Sequence, residues 1–101
     1  MPPQEVFTFG RWVVTEGNEA GFIEAWKALG AYFRSLAQPP GQGSLVQSAK
    51  NPRLFYSFGP WPSAEAVAAM RADPRSADEI GKLGALCDEF EPGMFVLVAT
   101  A

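Results

Sequence analysis

The feature that most limits how this chain can fold is the segment from Val6 to Thr15, which has the sequence VFTFGRWVVT. Its β-branched and aromatic residues predict a strand, and successive side chains of a strand point to opposite faces. One face carries Phe7, Phe9, Arg11 and Val13, and the other carries Thr8, Gly10, Trp12 and Val14. Because both faces are largely apolar, we expect both to be covered in the native protein.

A helix and a hairpin are predicted after this strand. Asn18 is the expected N-cap of helix one, which should extend to about Ala37. The helix has one apolar stripe, formed by Phe22, Trp26, Leu29, Phe33 and Leu36. Residues 38–43 (QPPGQG) end it. Strand two is predicted over 44–49 and strand three over 54–60, with a turn between them.

The C-terminal part predicts two short helices and a last strand. Ser63 is the expected cap of a helix over 64–72, and Asp73-Pro74 interrupts it. Ser76 and Glu79 fit a capping box for helix three, whose apolar stripe would be Ile80, Leu83, Cys87 and Phe90. Residues 91–93 (EPG) are predicted as a turn and 94–100 (MFVLVAT) as strand four, which is apolar enough to be central or buried on both faces.

The order β-α-β-β-α-α-β predicts one α+β domain over 1–101. With the two short helices counted as one broken element, it is a ferredoxin-like βαββαβ fold with an antiparallel four-stranded sheet. Helices on one face leave the other face open. A second copy is the simplest cover, so we expect a homodimer. Its predicted interface residues are Phe7, Phe9, Arg11, Val13, Leu54, Tyr56 and Phe58.

Composition excludes several functional classes. Of the 101 residues 48% are hydrophobic and 19% charged, the net charge is −3, and the basic residues form no stripe, so nucleic acid is not an expected partner. There is no histidine, which removes the commonest general base and the histidine metal sites. We expect no metal and no cofactor. No signal peptide or membrane span is recognisable, so a cytoplasmic location is expected.

One stretch carries a family resemblance. In residues 59–77 (GPWPSAEAVAAMRADPRSA), Trp61, Ser63, Glu65-Ala66 and Asp73-Pro74 follow the pattern in which strand three runs into a Trp, a Ser, an acidic-Ala helix and a Pro-containing break. Together with the order of elements over residues 6–100, this resembles the antibiotic biosynthesis monooxygenase domains of the dimeric α/β-barrel group. That family includes cofactor-independent oxygenases acting on aromatic compounds, haem-degrading oxygenases and quinol oxygenases.

The resemblance implies a pocket between sheet and helices in each subunit. Strand parity places Trp61 on the helix-facing side of the sheet together with Ser57 and Thr8. The candidate substrate-binding residues are therefore Trp61, Ser57, Thr8, Trp12, Trp26 and Phe33.

Two branches of the family fit less well. The haem-degrading branch uses an Asn, a Trp and a His at positions that correspond here to Gly10, Met70 and Ile80, so haem degradation is not expected. Some polyketide oxygenases carry an Asn where this chain has Ser57.

Several residues allow two interpretations. Trp61 is either a pocket wall that donates its indole N–H to a ligand or a core residue at the edge of the sheet. Trp26 and Phe33 also fit plain core positions. Arg11 is either a substrate contact or part of a rim ion pair, for which Glu5 or Asp88 of a second copy are candidates.

Three further side chains have an interpretation that involves structure alone and no chemistry. Tyr32 and Tyr56 are either proton donors or surface and interface residues. Cys87 is expected to be a buried, inert thiol.

Two functions follow from these observations. One is a cofactor-independent monooxygenase that acts on a small aromatic or quinone-like compound in an apolar pocket. The other is a non-enzymatic dimeric module that binds a small ligand or serves as a scaffold. The absence of a recognisable acid–base pair favours the second, and the family resemblance favours the first.

Overall fold

Four strands and three helices follow one another in the predicted order in the computed structural model, which describes residues 5–101. The elements are β1 (Val6–Val14), α1 (Glu19–Phe33), β2 (Ser44–Gln47), β3 (Leu54–Trp61), α2 (Ala64–Ala72), α3 (Pro74–Gly84) and β4 (Cys87–Val96). The strands form one antiparallel sheet in the order β2-β3-β1-β4. This arrangement confirms the predicted ferredoxin-like α+β fold.

The helices cover one face of the sheet and bury two clusters of side chains there. The first cluster joins Trp12 and Val14 of β1 to Phe22 and Leu29 of α1. The second is centred on Trp61 and consists of Val6, Trp61, Ala66, Val67 and Met70. β1 is a central strand, which explains why its sequence is apolar on both faces.

Helix α1 ends four residues before the predicted end, at Phe33. The backbone N–H groups of Ser35 and Leu36 donate to carbonyls three residues back, at Tyr32 and Phe33. Such tight bonds commonly close the last turn of a helix. Leu36 therefore leaves the helical stripe, although it still packs against the Trp61 cluster.

The predicted position of strand four was wrong. β4 begins at Cys87, so Cys87 and Phe90 belong to this strand and not to the stripe of α3, and the predicted turn at 91–93 lies inside it. β4 is an edge strand, not a central one, and 94–98 are exposed. Because an edge strand leaves one row of backbone groups unpaired, it can contain Pro92, which lacks an N–H. Pro92 and Gly93 are a turn signal in the sequence, but in the structure they lie within this edge strand.

The start of α3 also differs from the prediction. Asp73 caps the helix by accepting the backbone N–H of Ser76 at 3.1 Å, and Pro74 occupies its first turn. Ser76 is fully buried, and its hydroxyl donates to the same carboxylate at 2.9 Å. Glu79 pairs instead with Lys82, one turn along the helix. The predicted cap of α2 is confirmed, because Ser63 accepts the N–H of Ala66.

Among residues 5–101, no helix lies on the other face of the sheet. Phe9 lies at its centre and contacts the rings of Tyr56, Phe58 and Phe95, with centroids 5.6 to 5.8 Å apart. Phe58 is 37% exposed and Phe95 is 55% exposed. We call this surface the open face; its predicted members Phe7, Phe9, Arg11, Val13, Leu54, Tyr56 and Phe58 all lie on it by strand register.

No helix in the part of the chain that the structure describes is long and apolar enough to cross a membrane.

Candidate functional site

A cavity of about 980 Å³ lies between the sheet and the helices. Its walls are mostly apolar, and it opens to solvent. All six residues that the sequence analysis named as pocket candidates line it, namely Thr8, Trp12, Trp26, Phe33, Ser57 and Trp61. All three tryptophans of the chain therefore face this one space. Their role in binding a ligand stays a prediction.

Two indole–hydroxyl pairs form the polar part of the cavity floor. The indole N–H of Trp61 donates to Thr8 Oγ1, and that of Trp12 donates to Ser57 Oγ, each over 2.9 Å. Both pairs link β1 to β3, because the register places Thr8 opposite Gly59 and Trp12 opposite Phe55. The N–H of Trp61 is thus engaged by a side chain of the protein and is not free for a ligand.

The hydroxyl groups keep their own protons. A serine or threonine hydroxyl can accept and donate at the same time. Thr8 and Ser57 each accept an indole N–H, and neither donates to another group among the described residues. Each hydroxyl proton can therefore be given to an oxygen of a molecule in the cavity.

Gly10 lies under these pairs and leaves no room for a side chain. A Cβ at this position would come within 2.8 Å of the indole nitrogen of Trp12 and 2.9 Å of Ser57 Oγ. Gly10, Met70 and Ile80 all line the cavity. By the family resemblance, these three places correspond to the functional residues of the haem-degrading branch. An asparagine at position 10 would collide with the Trp12–Ser57 pair.

Aromatic side chains from both the helices and the sheet supply the apolar walls. Phe33 of α1 meets the ring of Trp61 edge-on, with centroids 5.2 Å apart. Trp12 stacks on Phe90 of β4 at 3.9 Å and an interplanar angle of 8°. Trp61 is only 5% exposed, so it serves both the core and the cavity wall. Trp61 is therefore both a core residue and a cavity wall, and its N–H is donated to Thr8 and not to a ligand.

The loop before β2 forms a wall that the sequence analysis missed. Its residues 40–43 line the cavity, and the N–H of Gly41 donates to the carbonyl of Pro60 at 2.9 Å. A Cβ on Gly59 would lie 3.0 Å from the Cα of Gly43. The loop thus packs backbone to backbone against β3. The glycines at 41, 43 and 59 were the only signal in the sequence for this close approach.

The charged side chains that line the cavity are all cations: Lys27, Arg34 and Arg71. No Asp or Glu lines it. Within residues 5–101, no group of three His, Cys, Asp or Glu side chains is placed to hold a metal ion. The cavity offers hydroxyl donors, cations and apolar rings, and it offers no carboxylate as a general base.

Arg11 and Tyr56 lie on the open face, away from the cavity. Arg11 pairs with Glu89 of the same chain at 3.3 Å, and this contact raises the pKa of its guanidinium. Arg11 thus has a carboxylate partner within its own chain, and the suggested partners Glu5 and Asp88 of a second copy stay a prediction. The neighbouring strand β4 brings Glu89 to this position, which the misplaced strand prediction had hidden.

Tyr32 belongs to a structural contact at the helix junction. Its hydroxyl donates to Asp73, and the guanidinium of Arg75 lies 4.4 Å above its ring. The hydrogen bond raises the pKa of Tyr32 and, with those from Ser76, lowers the pKa of Asp73.

Cys87 is half-buried and makes a contact of 3.4 Å with the carbonyl of Leu83. Burial and then the nearby Asp88 raise the pKa of the thiol to about 11. The thiolate needed for nucleophilic chemistry is therefore scarce at neutral pH.

Comparisons with known proteins find likeness in structure and none in sequence. No family model matches the chain, and no curated protein matches it. A variant of SnoaB, a cofactor-independent oxygenase from Streptomyces nogalater, superposes with a TM-score of 0.87 at 21% identity, over 97% of both chains.

Two further solved structures have the same fold. A conserved protein of unknown function from Bacteroides thetaiotaomicron has a TM-score of 0.80 at 22% identity, over 95% of this chain and 100% of that one. An antibiotic biosynthesis monooxygenase has a TM-score of 0.75 at 12% identity, over 95% and 99%. The chain therefore has the fold of the antibiotic biosynthesis monooxygenases, as its resemblance to that family predicted.

Proposed function

We propose that the protein is a cofactor-independent oxygenase that holds a small aromatic or quinone-like compound in the cavity. The observation that carries this proposal is the cavity itself, a space of about 980 Å³ with aromatic walls and two hydroxyl protons free to meet a ligand. Small-molecule sites commonly have this size, with apolar walls and a few polar groups. The fold shared with SnoaB supports the same conclusion.

The chemistry of such a compound needs little from the protein. A phenol with an unsubstituted para carbon loses its hydroxyl proton, and the phenolate then gives electrons to O₂. One oxygen atom becomes the new carbonyl at the para carbon and the other leaves as water. Phenol plus O₂ gives quinone plus water, so the substrate supplies all four electrons. No separate reductant enters this balance.

The residues that line the cavity are suited to a reaction in which the substrate itself reduces O₂ and the protein only binds and orients it. Hydroxyl protons from Thr8 and Ser57 would stabilise the phenolate oxygen, in the manner of an oxyanion site. The rings of Trp12, Trp61 and Phe33 would hold the substrate plane and exclude water. Because no carboxylate lines the cavity, the proton is expected to leave to solvent, and turnover should rise with pH toward the pKa of the substrate.

Oxygen uptake with 1-naphthol and with anthrone tests this proposal. We expect one quinone formed per O₂ consumed, without hydrogen peroxide. Ser57→Ala and Thr8→Val should each lower kcat/KM by about tenfold or more, because each removes a hydroxyl that would donate to the phenolate oxygen, and one good hydrogen bond to an oxyanion is worth that much. Tyr56→Phe is the matched control, since it removes a hydroxyl from the opposite face of the same strand. No turnover with any phenol or hydroquinone, in wild type or variant, would contradict the proposal.

The absence of a general base favours a second candidate function. A dimeric module that binds the same class of ligand without turning it over would need the cavity and no base. The same experiment separates the two, because a binding module would shift the tryptophan fluorescence with 1-naphthol and consume no oxygen.

We also infer that the protein is a homodimer that pairs through the open face. A shallow apolar depression of about 400 Å³ lies there between Phe7, Phe9, Phe58, Phe95 and the chain from 96 to 99. Burying such a surface is worth about 25 cal/mol per Å². A second copy with the same face is the partner that a two-fold axis would supply.

Sedimentation equilibrium tests this assembly. We expect wild type to be dimeric at micromolar concentration and Phe9→Glu to be monomeric. Ala28→Glu places the same charge on the exposed side of α1 and should stay dimeric. A wild-type protein that is a stable monomer at micromolar concentration would contradict the dimer.

A further inference from the structure

We infer that Arg34 and Arg71 form an anion-binding subsite at the mouth of the cavity, which selects aromatic ligands that carry a carboxylate. This inference rests on the proposed function in so far as it takes the cavity to be the ligand site. It adds the charge of the ligand and the two residues that would recognise it.

The charged residues around the cavity are positive, whereas the whole chain has a negative net charge. The protein carries 11 acidic and 8 basic side chains, with a net charge of −3. The side chains lining the cavity include three basic residues and no acidic one. A neutral aromatic ligand would need no such local excess of positive charge. An anionic ligand would be drawn toward it.

The arginines of the chain divide into two groups. Arg11 and Arg53 form ion pairs with carboxylates, and Arg75 lies over the ring of Tyr32. Arg34 and Arg71 have no ion-pair partner or side-chain hydrogen bond among residues 5–101. These two are the arginines that line the cavity.

The cavity's third cation, Lys27, has a partner of its own. Its ammonium group lies 3.2 Å from Glu24, one turn earlier on α1. That carboxylate offsets its charge. The uncompensated charge at the cavity is therefore the pair of guanidinium groups.

Two different helices bring these arginines to the cavity, each from its C-terminal end. Arg34 caps the C-terminus of α1, and Arg71 lies in the last turn of α2. Phe33, directly before Arg34, packs against the Trp61 cluster, which includes Met70, directly before Arg71. The packing of Phe33 on this cluster thus brings together the two helix ends that carry the arginines.

The arrangement fits a flat molecule with one charged end. Its rings would lie against Trp61 and Phe33, while its carboxylate would reach the arginines at the solvent side. A guanidinium group matches a carboxylate through two parallel hydrogen bonds. Each arginine is exposed, so solvent screens the contact and the gain per arginine is modest.

Binding of 2-naphthoate and of 2-naphthamide tests the subsite. The two probes share shape and rings and differ in charge, and binding is measured from the NMR signals of the three indole N–H groups. We expect wild type to bind the carboxylate about fivefold to tenfold more tightly than the amide, as two partly screened ion pairs allow. Added NaCl should weaken binding of the carboxylate and leave that of the amide unchanged.

Variants then assign the preference to its residues. Arg34→Gln with Arg71→Gln should bind both probes equally, with the affinity that wild type has for the amide. Lys50→Gln makes the same change of charge in an exposed turn outside the cavity and should keep the full preference.

Three other outcomes are possible, and each would overturn a different part of the proposal. Equal binding of both probes by wild type would overturn the subsite and leave the proposed function standing. A preference that survives in the double variant would overturn the assignment to these arginines. Failure of both probes to bind would overturn the cavity as a ligand site and the subsite with it.

Discussion

The two faces of the sheet are built from the same strands and differ in almost every physical respect. On the covered face, Trp12 and Trp61 are buried, and their N–H groups donate to Ser57 and Thr8. On the open face, Phe9, Tyr56, Phe58 and Phe95 form a cluster of rings without a cover. The covered face has its polar groups arranged around a cavity, whereas the open face has only a shallow apolar depression. The first suits a ligand, and the second suits another protein surface.

The alternation of side chains along a strand makes this division possible. Neighbouring residues of β1 and β3 serve different faces, so one short sheet can hold a site and an interface back to back. The register that pairs Gly10 with Ser57 also pairs Phe9 with Phe58. A slip of one residue would exchange the two sets, so the proposed site and the proposed interface depend on the same register.

The largest expected effect comes from two phenylalanines of β3 on opposite faces. Phe55 is 1% exposed under α1, and Phe55→Ala should lower the free energy of unfolding by about 3–5 kcal/mol. Phe58→Ala, on the open face, should lower it by less, and the loss should be larger at protein concentrations that support a dimer. Urea denaturation at two protein concentrations measures both. Equal, concentration-independent losses would show that the faces do not differ as described.

A smaller effect is expected from the glycine beneath the indole–hydroxyl pairs. Gly10→Ala should destabilise the fold by about 1–3 kcal/mol, because its Cβ would push Trp12 away from Ser57. Gly21→Ala is the control, since open space surrounds Gly21 in α1, and it should stabilise by about 0.5–1 kcal/mol. Thermal unfolding would measure both. A neutral Gly10→Ala would mean that the Trp12–Ser57 contact is looser than it is here.

The junction that holds the helices over the covered face should respond to acid. Hydrogen bonds from Tyr32 and Ser76 lower the pKa of Asp73. A carboxyl group with a lowered folded-state pKa stabilises the fold above its unfolded pKa of about 4, and this contribution is lost as pH falls through the folded pKa. Asp73→Asn should therefore be less stable than wild type at pH 6, and the difference should shrink as the pH falls below about 4.

The check is urea denaturation of both proteins across that range. A difference that stays constant down to pH 2 would mean that the charge of Asp73 is not what matters. Tyr32→Phe removes the leading hydrogen bond and should reproduce part of the same pH dependence.

The thiol of β4 is expected to have the smallest effect on the fold, because the prediction for it concerns reactivity and not stability. With a pKa of about 11, Cys87 should react with a disulfide reagent at pH 8 about a hundredfold more slowly than free cysteine, since far less thiolate is present. The reaction rate should still be rising tenfold per pH unit at pH 9. A plateau near pH 8 would contradict the raised pKa.

The sequence predicted what depends on local pattern. Alternation in β1 and β3 correctly sorted Thr8, Trp12 and Ser57 from Phe9 and Phe58, because strand parity is a short-range property. The cap at Ser63 and the break at Asp73-Pro74 were likewise visible in a few residues.

What escaped prediction depends on tertiary placement. The strand from Cys87 was missed because Pro92-Gly93 is a turn signal everywhere except on an exposed sheet edge. The pairing of each indole with a hydroxyl requires the register between β1 and β3, which no single segment encodes. The place of Arg34 depends on where α1 ends, and its predicted end was four residues too late.

One NMR experiment tests the central claim, that the covered face holds the ligand and the open face holds the partner. The reporters are the indole N–H signals of Trp12, Trp26 and Trp61, and the ring signals of Phe7 and Phe95, which line the open-face depression and not the cavity. Titration with 1-naphthol should shift the three indole signals along one saturating curve and leave the two rings unchanged. Dilution without ligand should shift the two rings and leave the indoles unchanged. Indole signals that ignore the ligand, or ring signals that follow it, would contradict the account.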